Sequence, residues 1–412
     1  MKSGSPKETV TTPLLSWFRR CGRDLPWRRT LDPYRTLVSE FMLQQTQVDR
    51  VVPFFLRWIE RFPTLRSLAD ADEAEVLKLW EGLGYYSRCR NLLRAARAID
   101  TTLGGRIPED SGSLRSLPGI GPYTAGAISS IAFNRSATAV DANARRVASR
   151  IRGREFRNDR EVSDFLADFI PDGDARSFNQ AIMDLGALVC TPVRPSCEIC
   201  PVAATCKGRA NARTPKRAAV ARKKRTTENA VAAIVLDDDR VLLRRRPDSG
   251  LWAGMTEFPW EPLGADDTPD SAALRIASSY CPDPTVIGRI GPVSHAFTTH
   301  RIRLTGVLLR REHGKSNEIS PSGSGVWIPL AELRNETLPA GAGKLRDILA
   351  EKDFSRVYDT RIPIAQKEGD SREPDPGNNP EQTQYPEVPV RTASARTSRR
   401  NPRCGPLGAE RP

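Results

Sequence analysis

Leu117-Pro118-Gly119-Ile120-Gly121-Pro122-Tyr123-Thr124-Ala125-Gly126 joins one helical pattern to the next across two glycines and two prolines. Pro118 cannot continue a helix, and Pro122 suits the first turn of a new one, where its missing N–H would have had no partner. Gly119 and Gly121 remove the Cβ atoms that would shield consecutive backbone N–H groups, and the positive dipole end of the next helix begins there. A phosphate can dock on such a turn without any side chain. The stretch therefore reads either as a helix-hairpin-helix element that grips a nucleic-acid backbone without reading sequence, or as an ordinary αα-hairpin using glycine for its turn.

The surrounding pattern is helical on both sides. From about Thr12 to Gly208 apolar residues recur at three- and four-residue intervals, as in Glu73 to Trp80 and Tyr123 to Ala132. One all-α unit is predicted over residues 12–208, after a flexible segment at 1–11. It closes on Cys190, Cys197, Cys200 and Cys206, with gaps of six, two and five residues and no histidine nearby. Four thiolates suit a tetrahedral zinc or an iron–sulfur cluster. Zinc modules usually present two tight cysteine pairs, and only Cys197 and Cys200 are tight here, which favours a loop at 190–206 wrapped around a bulky cubane. Scattered buried or disulfide-forming cysteines are the bland alternative. Pro192, Pro195 and Pro201 stiffen the loop.

Composition bounds the rest. A chain of 412 residues with 39% hydrophobic content can build two or three cored domains, and a net charge of +13 favours a polyanionic partner. No apolar run reaches the length of a membrane span, and Met1 to Thr12 lacks the apolar core of a signal peptide, so reduced thiols and a cytoplasmic setting are expected. Residues 209–228 carry eight Lys or Arg against one acid and read as a basic linker. From Asn229 the texture becomes β-type: Ala230 to Leu236 and Arg240 to Arg245 flank an acidic turn at Asp237 to Asp239, so a hairpin opens a second domain at 229–356. Residues 357–412, rich in Pro, Glu, Arg and Ser, are expected to be disordered.

Two carboxylates stand out by position. Thr36 to Val48 reads as one helix whose core face is Leu37, Val38, Phe41, Met42 and Val48, with Glu40, Gln44 and Gln47 on a polar stripe. Glu40 would project from a buried helix toward a polar cleft, although solvated surface explains most such glutamates. Asp141, in Val140-Asp141-Ala142-Asn143-Ala144-Arg145-Arg146-Val147, sits where a helix starts and reads as its N-cap; a carboxylate can also cap a helix and face a substrate.

Read in order, Ser39 to Val48, Trp80-Glu81-Gly82-Leu83-Gly84-Tyr85-Tyr86-Ser87-Arg88, the turn at Gly119 to Thr124, Asp141-Ala142-Asn143, Asn179 to Ala187 and the four cysteines resemble the MutY family of adenine DNA glycosylases, within the endonuclease III superfamily. The resemblance spans nearly the whole first half. It implies an all-α helix-hairpin-helix glycosylase domain with a 4Fe–4S loop, then a Nudix-like α+β domain. Bifunctional members of the superfamily carry a lysine nucleophile one residue beyond the second hairpin glycine and its neighbour. Tyr123 stands there, which implies a monofunctional glycosylase and argues against an endonuclease III-like lyase; a non-catalytic iron–sulfur DNA-binding protein would not need Glu40 and Asp141 together.

By resemblance Glu40 is the general acid that protonates adenine N7, and Asp141 stabilises the oxocarbenium ion, with Asn143 and Tyr123 positioning the pair. Such a division needs a raised pKa at Glu40 and an anion at Asp141. The same resemblance implies base flipping, with Gln45 inserted beside the orphaned base and Tyr85 wedged in the opposite strand. Leu83, Gly119, Gly121 and Thr124 would meet DNA as well. The expected partner is double-stranded DNA with A:8-oxoguanine or A:G mispairs, met by a monomer.

The segment Gly250 to Pro259 resembles the family's lesion-recognising Nudix-type domain, but Ser271 to Tyr280 lacks the glutamates of active Nudix hydrolases. The family's Phe-Ser-His loop corresponds to Phe297, Thr298 and Thr299, with His300 one place out of step. Phe297 and Thr298 are expected to read the opposite base, and Thr299 puts 8-oxoguanine selectivity in question.

Overall fold

The computed structural model describes residues 6–209, 226–247, 252–296, 300–311 and 325–351. The first domain is helical: α1 (Pro6–Cys21), α2 (Pro33–Leu43), α3 (Val48–Arg61), α4 (Leu65–Ala69), α5 (Glu73–Trp80), α6 (Tyr86–Thr102), α7 (Ser111–Arg115), α8 (Pro122–Ile131), α9 (Ala142–Arg152), α10 (Asp159–Ala167) and α11 (Ala175–Leu188). Most helix starts are specified by acceptor side chains. Asp32, Thr64, Asp72, Asp110, Asp141, Asn158 and Asp174 each accept a hydrogen bond from a backbone N–H of the first turn.

The first helix starts at Pro6, and Val10 and Thr11 are buried, so half of the segment expected to be flexible belongs to the fold. The helix expected over Thr36 to Val48 is two. Gln44 leaves the helical region (φ −55°, ψ 111°), Gln45 is left-handed (φ 56°), and Gln47 precedes α3. The polar stripe of Glu40, Gln44 and Gln47 thus does not exist, because α2 ends at Leu43. Periodicity alone ran through the break.

The helices form two lobes, each around its own core. Leu37, Phe41, Phe55, Trp58, Trp80 and Leu92 fill the first, built on α2, α3, α5 and α6. The second is filled by Leu14, Trp17, Val147, Phe178 and Leu185, from α1, α9 and α11. Helix α8 contacts both α2 and α11 and so lies between the lobes. There it fits closely: a Cβ on Gly126 would lie 2.0 Å from the Thr138 carbonyl oxygen.

The second domain is a mixed sheet between two helices. Its strands are β1 (Thr226–Asp237), β2 (Arg240–Arg245), β3 (Thr256–Glu257), β4 (Trp260–Pro262), β5 (Pro284–Ala296), β6 (His300–Arg311) and β7 (Gly325–Pro329), with α12 (Pro269–Ser278) and α13 (Ala340–Glu351). The order is β3-β2-β1-β6-β5, with β4 paired to β1 and β7 to β2. Only β1 and β6 pair in parallel among these strands, and β1–β2 form the expected antiparallel hairpin. Residues 230–236 are an uninterrupted apolar run because both faces are covered. Ala230, Ala232, Ile234 and Leu236 join the α13 side with Leu345, while Val231, Ala233 and Val235 join the α12 side with Ile276. Strand β1 starts at Thr226, inside the stretch expected to be linker; the tail expected from residue 357 lies outside the described residues.

The domains meet through side chains. Met255 belongs to the first lobe's core, and Trp252 packs against it. Arg90 donates to the Ala253 carbonyl at 2.8 Å, and Lys78 donates to the carbonyls of Arg334 at 2.8 Å and Glu336 at 3.2 Å. Among the described residues no helix is long and apolar enough to cross a membrane.

Candidate active site

Each lobe supplies one carboxylate to the boundary marked by α8. Glu40, in the last turn of α2, is only 4% exposed, and its Oε2 has no hydrogen-bond partner among the described residues. Burial pushes its pKa up to about 7; the neighbouring Tyr123 hydroxyl pulls it down, the Asp141 charge pushes it up and Arg28 pulls it down. Tyr123, from α8, is itself held far above its ordinary range by burial and by the Glu40 and Asp141 charges, so its hydroxyl keeps its proton. Asp141 caps α9 from the second lobe. Its Oδ1 accepts from Ala144 N at 2.6 Å and its Oδ2 from Asn143 Nδ2 at 2.8 Å, two donors that suit an anion. The structure therefore brings Glu40, Tyr123, Asp141 and Asn143 together.

A buried ion cluster supports this group. Asp184 on α11, fully buried, accepts from Arg28 Nη1 at 2.8 Å and Nη2 at 3.0 Å and from Arg23 Nε at 2.8 Å. The bidentate pairing fixes the Arg28 guanidinium, whose charge acts on both Glu40 and Tyr123. Asp184 lies within Asn179 to Ala187, where nothing local along the chain marks it for a role. Arg28 lies 156 positions from its partner, so no local pattern could have paired them.

Arg146 links the site to the cysteine loop. Its Nη2 donates to Asn143 Oδ1 at 2.7 Å and to the Gly186 carbonyl at 2.8 Å, while its Nε donates to the Cys190 carbonyl at 2.9 Å. One turn on, Arg150 Nη1 lies 3.2 Å from Cys190 Sγ and donates to the Thr191 carbonyl at 2.8 Å. Cys190, Cys197, Cys200 and Cys206 all line one pocket with Val147, Leu185 and Val202. Burial pushes the Cys200 thiol up to about 12 and raises that of Cys206, and nearby cysteines add to both. Among the described residues no three such groups are placed to hold a single ion. Four soft donors around one apolar pocket, with a guanidinium against one sulfur, fit an anionic cluster held by thiolates.

The DNA-contact candidates divide. Gln45 (φ 56°) and Tyr85 (φ 49°) are both left-handed, a costly conformation for such side chains, and both line the cleft between the domains. Tyr85 is 49% exposed. The two turns that carry them are tied by one buried arginine that sequence reasoning left without a role. Arg88 donates to the carbonyls of Phe41 at 3.1 Å, Met42 at 2.9 Å and Gly84 at 3.1 Å, to Thr46 Oγ1 at 3.1 Å, and to the Gln44 carbonyl. Leu83 and Thr124 are not surface residues: Leu83 packs in the first core, and Thr124, 3% exposed, accepts from Gln44 Nε2 at 3.5 Å. Leu83 follows the left-handed Gly82 (φ 106°), and Thr124 lies in the first turn of α8.

The hairpin glycines differ from each other. Gly119 (φ 76°) has no room for a side chain, since a Cβ would lie 2.6 Å from Asn91 Cβ and 2.9 Å from Phe41 Cε1. Gly121, by contrast, faces open space at the start of α8. Phe297, Thr298 and Thr299 lie outside the described residues, between β5 and β6. His295, three residues before Thr298, packs its ring 6.0 Å from that of Trp252 and lines the same cleft as Gln45 and Tyr85.

Fold and site together define a base-excision glycosylase domain of the helix-hairpin-helix class joined to a Nudix domain. Residues 38–172 match the family model described as HhH-GPD superfamily base excision DNA repair protein, and residues 230–347 match the NUDIX domain model. The adenine DNA glycosylase of Rattus norvegicus is 32% identical over 399 residues, covering 82% of this chain and 77% of its own. That of Homo sapiens is 35% identical over 357 residues, covering 71% and 65%. The chain belongs to the adenine DNA glycosylase family. A solved thermostable thymine-DNA glycosylase is similar over 50% of this chain and 97% of its own, with 29% identity and a TM-score of 0.47.

Proposed function

We propose that this protein removes adenine from A:8-oxoguanine and A:G mispairs in double-stranded DNA by hydrolysing the N-glycosidic bond, without cutting the strand. The observation that carries the reading is the pairing of two carboxylates in opposite environments at one lobe boundary. Glu40 is buried, with a pKa near 7 and an unpartnered oxygen, so near neutral pH much of it holds a proton that it can give to the ring of a flipped adenine. Protonation makes adenine a leaving group and puts positive charge on the sugar. Asp141, held by the α9 N-terminus and Asn143, supplies the opposing anion. Tyr123 stands where a lyase would need an amine, and its phenol cannot form a Schiff base.

Cys190, Cys197, Cys200 and Cys206 would hold a 4Fe–4S cluster. The cluster's role here would be to fix the loop, with no proton or bond of the hydrolysis assigned to it. Gln45 inserts beside the orphaned base, Tyr85 wedges into the opposite strand, and the second domain reads the opposite base. The protein acts as a monomer on DNA in the cytoplasm, within the nucleoid. Thr299, where the family carries histidine, is the position at which 8-oxoguanine selectivity is open to change.

Single-turnover assays on duplexes with adenine opposite 8-oxoguanine, guanine, cytosine or thymine test this. Strand breaks that appear only after alkali, fastest opposite 8-oxoguanine, are expected. Breaks without alkali would overturn the monofunctional assignment, and equal rates opposite guanine would overturn the lesion preference.

A further inference from the structure

The cleft between the domains is lined by charged residues from both, and its carboxylates are already committed. Glu81 pairs with Lys78 at 3.1 Å and with Arg346 at 3.0 Å, and Asp347 pairs with Arg346 at 2.9 Å. Arg90 is engaged with Glu73 at 2.7 Å. Arg50 on α3 and Lys344 on α13 also line the cleft, but neither has an ion-pair partner among the described residues. Both are hydrogen-bonded only to backbone carbonyls there: Arg50 to Gly82, and Lys344 to Ser294 at 2.8 Å. Those carbonyls orient the cations without neutralising them.

Lys344 Nζ donates to the carbonyl of Ser294, the residue before His295 on β5, and Arg50 lines the same cleft from the first domain. The charged form of His295 is disfavoured by burial first, then by Lys344 and by Arg50. Trp252 packs against that ring. Unneutralised cations gathered around a half-buried imidazole repel one another, and an anion placed among them removes that repulsion. The gathering needs both domains, since Arg50 belongs to the first and His295 and Lys344 to the second. It also adjoins Tyr85, because Arg50 is tied to the Gly82 carbonyl at the start of that turn.

We propose that Arg50, His295 and Lys344 form one composite anion site across the cleft, which takes a single backbone phosphate of duplex DNA beside the turn at Gly82 to Tyr85. The inference rests on the reading that the duplex enters this cleft. It makes the docked arrangement of the two domains a condition for full affinity.

Salt dependence of duplex binding by the full chain is the test, because each neutralised phosphate contributes about 0.9 to the slope of log K against log salt. Affinities for an A:G duplex and for the same duplex fully paired would be measured for the unaltered protein, Arg50→Gln, Lys344→Gln and the double variant. Each single variant is expected to lower the slope, and the double variant to lower it by no more than about one in total, since both cations serve one phosphate. An additive loss near two would assign the residues to separate phosphates and overturn the composite site, as would unchanged slopes. With only three histidines in the chain, the ring proton of His295 can be followed by NMR. Its pKa should rise on adding duplex and in each single variant; no movement with duplex would also overturn the site. Binding slopes are read without turnover, so they hold or fail independently of whether adenine is released.

Discussion

Arg146 donates through Nε to the carbonyl of Cys190 at 2.9 Å, and its Nη2 simultaneously holds Asn143 at 2.7 Å. Asn143 in turn donates to Asp141, so one guanidinium spans the distance from the cysteine loop to the Asp141 carboxylate. Its planar fork meets three acceptors at once, which an ammonium on a flexible stem cannot reproduce. Arg146→Met is expected to lower the single-turnover excision rate by about 10- to 100-fold with duplex binding retained, the size of loss typical when an orienting partner is removed. Arg146→Lys should recover little of it. An undiminished rate in either variant would show that Asp141 is positioned without this strut.

Glu40 has to be protonated to act as an acid, and its pKa near 7 puts the working range at the edge of neutrality. The excision rate should be flat below about pH 6 in the limb governed by this group. Above pH 7 it should fall roughly tenfold per unit as the donor form is lost. Glu40→Gln should abolish excision while leaving duplex binding intact, and Asp141→Asn should do the same. A single-turnover pH profile that keeps rising through pH 8 would remove Glu40 from the acid role.

The same carboxyl carries a stability cost with a definite sign. Its folded pKa is raised from 4.5 to about 7, so below pH 4.5 it is protonated in both states and costs nothing. Between pH 4.5 and 7 the unfolded chain ionises and the folded one does not, and stability falls by about 3 kcal/mol at roughly 1.4 kcal/mol per unit. Glu40→Gln should therefore raise the unfolding temperature at pH 8 and leave it unchanged at pH 4. Equal stability at both pH values would mean that the burial is relieved by solvent.

How much of this was legible in the chain depended on range. Asp141 announced itself as a helix cap because capping is written in four consecutive residues, and the β1–β2 hairpin was visible because two short apolar runs and the acidic turn between them are local. The break after Leu43 was not visible, because the Arg88 guanidinium, 44 positions away from Gln44, collects the carbonyls that the broken helix frees. The environment of Glu40 was hidden for the same reason. Its neighbours Tyr123 and Asp141 lie far along the chain, and the Arg28–Asp184 pair beside it bridges 156 positions.

Arg88 itself offers a test of the two left-handed turns. It is 7% exposed, and its pKa is lowered to about 10 by burial, the mark of a cation kept in the core by the carbonyls around it. Arg88→Met takes this donor from the carbonyls of Phe41, Met42, Gln44 and Leu83, at a cost of about 1–3 kcal/mol for each one that water does not reach, while the Gly84 carbonyl keeps Trp80 Nε1. The variant should lose several kcal/mol of stability in denaturant melts. Base-flipping fluorescence at the adenine site should fall more than overall duplex affinity, because Gln45 and Tyr85 sit at the turns and not on the helices. Unaltered flipping would mean that the turns hold their shape without it.

The joint between the domains turns on Glu81 and Arg346. The guanidinium, 9% exposed, lies 3.0 Å from the Glu81 carboxylate and donates to the Glu336 carbonyl at 2.7 Å, and a Cβ on Gly343 would lie 3.1 Å from Glu81 Oε1. Removing one partner of so enclosed a pair leaves the other charge poorly solvated, while removing both costs much less. Arg346→Met alone should destabilise the protein by about 1–3 kcal/mol, discounted from the fully buried case because Glu81 keeps some exposure and Lys78 remains beside it. The Glu81→Gln, Arg346→Met double variant should recover a large part of that loss, giving a coupling energy of about 0.5–3 kcal/mol in a double-mutant cycle. Because α13 also carries Lys344 into the cleft, the single variant should weaken discrimination between bases opposite adenine more than it slows excision. Additive losses in the cycle would show that the Glu81–Arg346 pair contributes no coupling across the joint.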